Sequence, residues 1–295
     1  MNKDTKMIIA LVAILTVCAS IAIIGVSESL AGEDSVTTTG TYRDESTGIT
    51  FTLYSDKTAE ATKVSGSPAI LKVPGAFTID GTQYSVVSIG KTFGSRDKII
   101  EQVIFPASIT QLKDGSIFNQ ASKLKIVTFE QGSKLTYIGN SAFVGCMALE
   151  SLNLPEGLKE IGTNVLSFDY MNWSNKGTLY YNLYSLKQLV LPASLEKIGD
   201  GSFPTLIMDI KLAEGNKSFV IENGVLYDIN KTTLIRAFNP QGDVQIPSTV
   251  KTIYSYAFRF QTSDVLTETL YTSTWLKLTE NPIIVSYLTF YNNSG

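Results

Sequence analysis

Apolar residues recur along the middle of the chain in short alternating bursts, and each burst is followed by further apolar positions at fixed offsets. Leu149, Leu152 and Leu154 form one burst, with Asn153 set between them, and Leu124, Val127, Phe129 and Leu186, Leu189, Leu191 repeat it. A period of two predicts a short strand with one buried face, and here Asn153 marks the outward side. Pro106, Pro155, Pro192 and Pro247 close four of these segments. A proline there ends strand pairing because it has no N–H to donate. Leu112, Ile161, Ile198 and Ile253 each fall six residues after their proline, and Leu166, Phe203 and Phe258 follow five residues later. A further copy, VTFEQGSKLTYIGNSAF, carries Glu130 in the proline position and two extra residues before Ile138, yet keeps Phe143 at the five-residue offset. Phe118 comes one residue late, and the copy around Ile89, ending at Phe93, is degenerate.

One unit of about 23–25 residues cannot bury its apolar face alone, whereas a stack of units shares a continuous core. The predicted layout is a strand, a proline stop, a Leu or Ile that returns the chain to the core, a glycine turn, and a Phe that plugs the next layer. Glycine after Ile138, Ile161 and Ile198 is expected to permit a turn that a bulky side chain would strain. The fold class is mainly β, a curved solenoid. Few residues separate successive strands, so the convex side is expected to hold short turns and irregular or 3₁₀ pieces.

The L-x-x-L-x-L-P…I-G-x-x-A-F unit resembles the BspA-like bacterial surface-antigen leucine-rich repeats, over roughly Thr41 to Phe258. The resemblance includes a recurrent hairpin insertion, here FVIENGVLYDINKTTLIRAF, in which Asn223-Gly224 is a two-residue turn signal. It also includes an entry segment, TGITFTLYSDKTAEAT, similar to a strand pair that shields the open end of the first repeat. The resemblance implies a surface location and a role in adhesion or ligand binding, with no catalysis and no cofactor. Two departures stand out. Between Leu166 and Leu186 the sequence inserts SFDYMNWSNKGTLYYNLYS, and after Phe258 it aligns to no unit.

The two ends and the composition narrow the function. Lys3 and Lys6 precede an apolar run from Met7 to Val26, which reads as an export signal or an N-terminal membrane anchor. Ser29-Leu30-Ala31 offers a peptidase site, so cleavage and anchoring both stay open. Cys18 follows Val17 where a lipoprotein signal carries a small residue. The chain has 295 residues, a net charge of −3 and no histidine. Mild acidity argues against a nucleic-acid partner, which needs a basic stripe. Without histidine, Ser-His and Cys-His nucleophiles and most zinc sites fall away. Cys146 is the one cysteine beyond the leader, so no internal disulfide is expected there. The sequons at Asn172, Asn216, Asn230 and Asn292 are compatible with export.

Motifs that imitate chemistry read better as repeat structure. Gly90-Lys91-Thr92 lacks the first glycine of a phosphate loop, which would fall at Ser85. Ser194-x-x-Lys197 and Ser248-x-x-Lys251 sit in the loop after the repeat proline, without the partner motifs of an acylating serine. The acid pairs Glu33-Asp34 and Asp44-Glu45 read as solvated linker charge, with no regular calcium spacing.

Two surfaces are candidates for binding. The insertion carries Phe168, Tyr170, Trp173, Tyr180, Tyr181 and Tyr184; such rings give large contact area at low entropic cost, and the rival reading has them covering a flank of the solenoid. The strand face should present Gln102, Ile104, Lys125, Thr128, Glu150, Asn153, Lys187, Gln188 and Val190 on adjacent rungs, against a plain solvated sheet.

The expected order is a signal or anchor over 1–31, a linker over 32–40, capping strands over 41–70, the solenoid over 71–258 and an atypical tail or cap over 259–295. The leading reading is a surface module that binds an extracellular protein or glycan, with no cofactor, no metal and no nucleic acid. A structural envelope protein without a specific ligand is the alternative, and an exported enzyme is a distant third.

Overall fold

The computed structural model describes residues 35–66, 68–167, 186–203, 209–238, 244–255, 257 and 284–285. By its packing the chain divides between Thr37 and Thr38, and every strand below lies in the second unit, Thr38–Gly295. The first 34 residues with the apolar run 7–26, the aromatic insertion and Phe258 lie outside the described residues.

The unit opens with β1 (Thr38–Asp44), β2 (Ile49–Tyr54) and β3 (Thr58–Val64), an antiparallel meander. The alternation Ile49, Phe51, Leu53 is buried, so β2 seals the end of the core as its pattern predicts. The cap therefore has three strands where the sequence suggested two. β4 (Ile70–Lys72) follows, then β5 (Ala76–Ile79) and β6 (Thr82–Ile89), a hairpin turned by Asp80 and Gly81, both at positive φ. The degenerate copy near Ile89 is this hairpin; β6 pairs in parallel with β3 and leads into the repeats.

Each repeat then supplies two strands. They are β7 (Gln102–Phe105) and β8 (Gln111–Leu112), β9 (Ile126–Phe129) and β10 (Tyr137–Ile138), β11 (Ser151–Leu152) and β12 (Glu160–Ile161), β13 (Gln188–Leu191) and β14 (Lys197–Ile198). The first strands stack in parallel as β4-β7-β9-β11, and the second as β6-β8-β10-β12-β14. This second ladder corrects the expectation of turns and 3₁₀ pieces: the Leu/Ile return positions form a parallel sheet of their own. Among the described residues there is no helix of any kind. The third side also ladders through backbone hydrogen bonds. Phe118 N–H donates to the Ala142 carbonyl, Phe143 to Val165 and Leu166 to Ser202, each at 2.9 Å.

The proline stop is visible by comparison with its exception. Where Glu130 replaces proline, its N–H donates to the Phe105 carbonyl at 2.9 Å, which continues the pairing by one residue. Pro106, Pro155, Pro192 and Pro247 instead accept at their carbonyls from Ile109, Leu158, Leu195 and Val250, closing a turn.

The insertion leaves one ladder intact and divides the other. Ile161 pairs in register with Ile198, and Glu160 with Lys197, although these residues are 37 apart in sequence. On the strand face β13 pairs with β15 (Asp209–Leu212) in a sheet separate from that of β11.

Next come β16 (Phe219–Glu222) and β17 (Val225–Asp228), the hairpin read from the sequence, with Asn223 and Gly224 both at positive φ. β18 (Thr233–Ala237) adds to β17, β19 (Val244–Gln245) reopens the repeat, and β20 (Thr252–Ile253) pairs in parallel with β18. β21 (Ile284–Val285) returns from the tail to pair antiparallel with β19.

One buried cluster runs from Ile49 in the cap through Phe118, Phe143, Ile161, Ile198 and Phe203 to Phe238. A second, with Val225, Leu234 and Val244, lies towards the other end, and Ile253 packs half-buried against it. Phe118 stays in the stack despite its extra residue: its ring lies parallel to Phe143 at 6.0 Å and edge-on to Phe93 at 5.9 Å.

Candidate functional site: the outward strand face

The strands β4, β7, β9 and β11 set their outward residues in register. Ile70, Gln102, Ile126 and Ser151 form one row. Lys72, Ile104 and Thr128 form the next, and Asn153 extends it, its N–H donating to the Val127 carbonyl at 3.3 Å. A third row precedes the strands: Lys125 N–H donates to the Glu101 carbonyl and Glu150 N–H to the Lys125 carbonyl, both at 2.8 Å. The structure thus brings Gln102, Lys125, Thr128 and Asn153 onto one sheet, in three adjacent rows. It does not add Gln188, which stands on β13 with Val190 in the separate sheet. Trp173, Tyr170, Tyr180 and Tyr181 lie outside the described residues. Ile70 and Lys72 on the face were not singled out in the sequence, although Leu71-x-Val73-Pro74 carries the strand-and-proline signal.

Charges on this face are largely matched within it. Lys125 Nζ lies 2.9 Å from Glu101 Oε2, and Lys72 Nζ lies 2.9 Å from Glu130 Oε1. Hydrogen bonding from Lys125 holds the Glu101 carboxyl below its usual range, and hydrogen bonding from Lys72 does the same for Glu130. On the second sheet Gln188 Nε2 donates to Asp209 Oδ2 at 3.1 Å, and Lys211 lies 3.5 Å from the same oxygen. What remains for a ligand is amide, hydroxyl and branched aliphatic surface, including Ile70 at 59% exposure. Such a surface recognises by shape and hydrogen bonding more than by net charge.

The other candidates resolve as scaffold. Ser194 Oγ accepts from Gly157 N–H at 2.9 Å and donates to the Leu158 carbonyl at 2.8 Å, while Lys197 Nζ pairs with Glu160 at 2.6 Å. The serine and the lysine of that motif are therefore turned to different partners. Asp44 accepts from Ser46 and Thr47 in its own turn. At Gly90 an added Cβ would stand 2.6 Å from Glu60 Oε1. The absent side chain leaves room for Glu60 to reach Lys113 two coils on, with Tyr54 Oη donating to Glu60 at 3.1 Å. Burial opposes the Lys113 charge, but the hydrogen bond and attraction to Glu60 outweigh it and raise the ammonium pKa. Among the described residues no three potential ligand side chains gather as a metal site.

The sequence-level reading missed a ladder of side-chain acceptors beside the second sheet. Asp114 Oδ1 accepts from Asn140 N–H at 2.8 Å, Asn140 Oδ1 from Thr163 N–H at 2.6 Å, and Asp200 Oδ1 from Ser255 N–H at 2.6 Å. The signal was present as Asp or Asn two residues after the buried Leu or Ile.

The model of the BspA-type leucine-rich repeat region matches residues 82–172 and 176–281, in six copies. That match runs past Phe258, where the last copy was legible by spacing. No curated protein matches the chain. Among solved structures, the pneumococcal vaccine antigen PcpA aligns at 20% identity over 75% of this chain and 62% of its own, with a TM-score of 0.54. The chain therefore spans less than two thirds of that structure, and the likeness shows the fold alone. A leucine-rich cell-surface protein of Faecalibacterium prausnitzii aligns at 22% identity over 75% of this chain and 68% of its own, with a TM-score of 0.43. A leucine-rich repeat protein of T. pallidum aligns at 22% identity over 60% of this chain and 83% of its own, with a TM-score of 0.44.

Proposed function

We propose, for a chain that belongs to the BspA-type leucine-rich repeat family, the role of an exported cell-surface protein that binds an extracellular protein or glycan and carries out no catalysis. The observation that carries this reading is the register of the strand face. Four strands set Gln102, Thr128 and Asn153 in adjoining rows beside Ile70 and Ile126, with Lys125 at the margin. A broad, internally charge-matched sheet of mixed polar and aliphatic groups fits an extended macromolecular partner better than a small charged ligand. The apolar run Met7–Val26 behind Lys3 and Lys6 supports export, by either cleavage or anchoring. The aromatic insertion supplies a second contact surface in this reading.

The test is retention of the full chain on immobilised extracellular-matrix proteins and on a glycan array. Thr128→Arg adds bulk and charge at the centre of the face, and Trp173→Ala with Tyr181→Ala removes rings from the insertion. Saturable retention that Thr128→Arg abolishes assigns the face. Loss only with the ring variants assigns the insertion. No saturable retention on any surface overturns the binding role and leaves the structural envelope protein.

A further inference from the structure

Of the sequons in the chain, those at Asn216 and Asn230 stand among the described residues, and the fold uses the two asparagines in opposite ways. Asn216 is part of the scaffold. Its Nδ2 donates to the Pro192 carbonyl at 2.9 Å and to the Leu195 carbonyl at 3.3 Å. Its Oδ1 accepts from Ser218 and Phe219 N–H, both at 3.0 Å. A substituent on Nδ2 would break the contact with the preceding coil and leave its carbonyls unmet. Asn230 lies in the exposed turn between β17 and β18, and no hydrogen bond from another described residue meets its amide. The turn is held around it. The Asp228 carbonyl accepts from Lys231 N–H at 2.9 Å, and the Asp228 carboxylate accepts from Thr232 Oγ1 at 2.7 Å and Thr233 N–H at 2.6 Å. Ile229 N–H donates to the Ser218 carbonyl at 2.8 Å, and the Lys231 carbonyl accepts from Thr249 Oγ1 at 2.8 Å. Both neighbours of Asn230 are tied into the fold, whereas its own amide holds none of the described residues.

We infer that Asn230 carries an N-linked glycan in the folded protein and that Asn216, despite its sequon, does not. The substrate class is an oligosaccharide carried on a lipid phosphate at the outer side of the membrane. Asn230 Nδ2 forms a bond to the anomeric carbon of the first sugar, and the bond from that carbon to the phosphate oxygen breaks. The amide proton passes to a base of the transferring enzyme and the lipid phosphate leaves, with no oxidant or reductant needed. Transfer to the newly exported chain, before the Thr232 hydroxyl closes onto Asp228, presents the sequon in open form. Folding then sorts the products. A glycan at Asn230 stays at an exposed turn and leaves the bonds around it intact, while one at Asn216 prevents packing against Pro192 and Leu195. The glycan places a bulky, hydrated group in the same turn as Ile229, an exposed apolar side chain. Asn230 adjoins the β16-β17-β18-β20 sheet, which is separate from the sheet of the strand face. The inference therefore rests on the exported location proposed above and not on what that face binds.

The experiment is glycopeptide mass spectrometry on the full chain purified from the cells that make it, with protease shaving of intact cells to locate it. Trypsin cuts after Lys211, Lys217 and Lys231, so the two asparagines fall on different peptides. The expected result is a chain outside the cell whose 218–231 peptide carries an oligosaccharide mass on Asn230, lost on chemical deglycosylation. The 212–217 peptide is expected at its unmodified mass. Asn230→Gln is expected to lose the added mass and keep its far-UV spectrum, and Thr232→Ser, which preserves the sequon, to retain the added mass. An unmodified Asn230 in a chain that shaving places outside the cell overturns the inference and leaves the exported location standing. So does a glycan on Asn216 of the folded protein. A chain found inside the cell overturns the inference and the exported location together.

Discussion

Gly139, Gly162 and Gly199 follow the buried isoleucines, and their conformation is ordinary: none has positive φ. Their lack of a side chain answers to the neighbouring coil. A Cβ at Gly199 would stand 2.5 Å from the Gly162 carbonyl carbon and the Thr163 nitrogen, and one at Gly139 would stand 2.4 Å from the Lys113 carbonyl carbon. The sequence expectation of a turn requirement was thus right about the residue and wrong about the cause, because spacing along one chain does not reveal how closely coils approach. Gly199→Ala is expected to cost about 2–3 kcal/mol of stability by urea unfolding. Gly40→Ala, with nothing within 4 Å, is expected to stay within about 0.5 kcal/mol of wild type. Cys146 is a second residue-scale test. It is fully buried with Sγ 3.0 Å from the Phe118 carbonyl, and burial pushes its thiol from 9.0 up to about 12. The native Cys146 thiol is expected to resist alkylation at pH 8 and to react once denatured. A thiol held neutral by the fold has a raised folded pKa, so unfolding binds fewer protons above the unfolded value. Its contribution is therefore complete below about pH 9 and declines as pH rises towards about 12.

Among the elements, the hairpins were the most legible from sequence, since Asn223-Gly224 sits between apolar runs and takes positive φ at both residues. Asp80-Gly81 does the same between β5 and β6, and it was overlooked because the surrounding copy of the repeat is degenerate. Gly224→Val is expected to cost about 1–2 kcal/mol in thermal or urea unfolding, because a β-branched residue is strained at φ +71. The second parallel ladder was not legible. Beyond β6 its strands are two residues long, too short for a period to show, and their pairing depends on residues 23 or more apart. Across the insertion, Lys159 pairs with Glu196 at 2.5 Å and Lys197 with Glu160 at 2.6 Å, all on exposed side chains. Exposed pairs contribute little, so Lys197→Ala is expected to change urea stability by less than about 1 kcal/mol. The ladder between β12 and β14 rests on the buried Ile161 and Ile198 instead.

For the whole molecule, stability is expected to behave as a sum over coils and their interfaces, with the cap sealing the first. The buried cluster that runs from Ile49 to Phe238 makes the coils one cooperative body. The rows of the strand face were only partly foreseen. The outward positions followed from alternation, but which of them stand side by side was hidden by the two extra residues before Ile138 and by the insertion, which change the sequence spacing between coils while the pairing register is kept. Residue-resolved hydrogen exchange tests the stacking most directly. The amides of Gly139, Gly162 and Gly199 donate to the carbonyls of Leu112, Ile138 and Ile161 one coil away, at 2.8, 2.8 and 2.7 Å. They are expected to exchange only through global unfolding, in step with the amides of Phe118 and Phe143 on the third side. Exchange of the three glycine amides at the rate of an unstructured peptide, while β2 stays protected, would contradict the stacked solenoid.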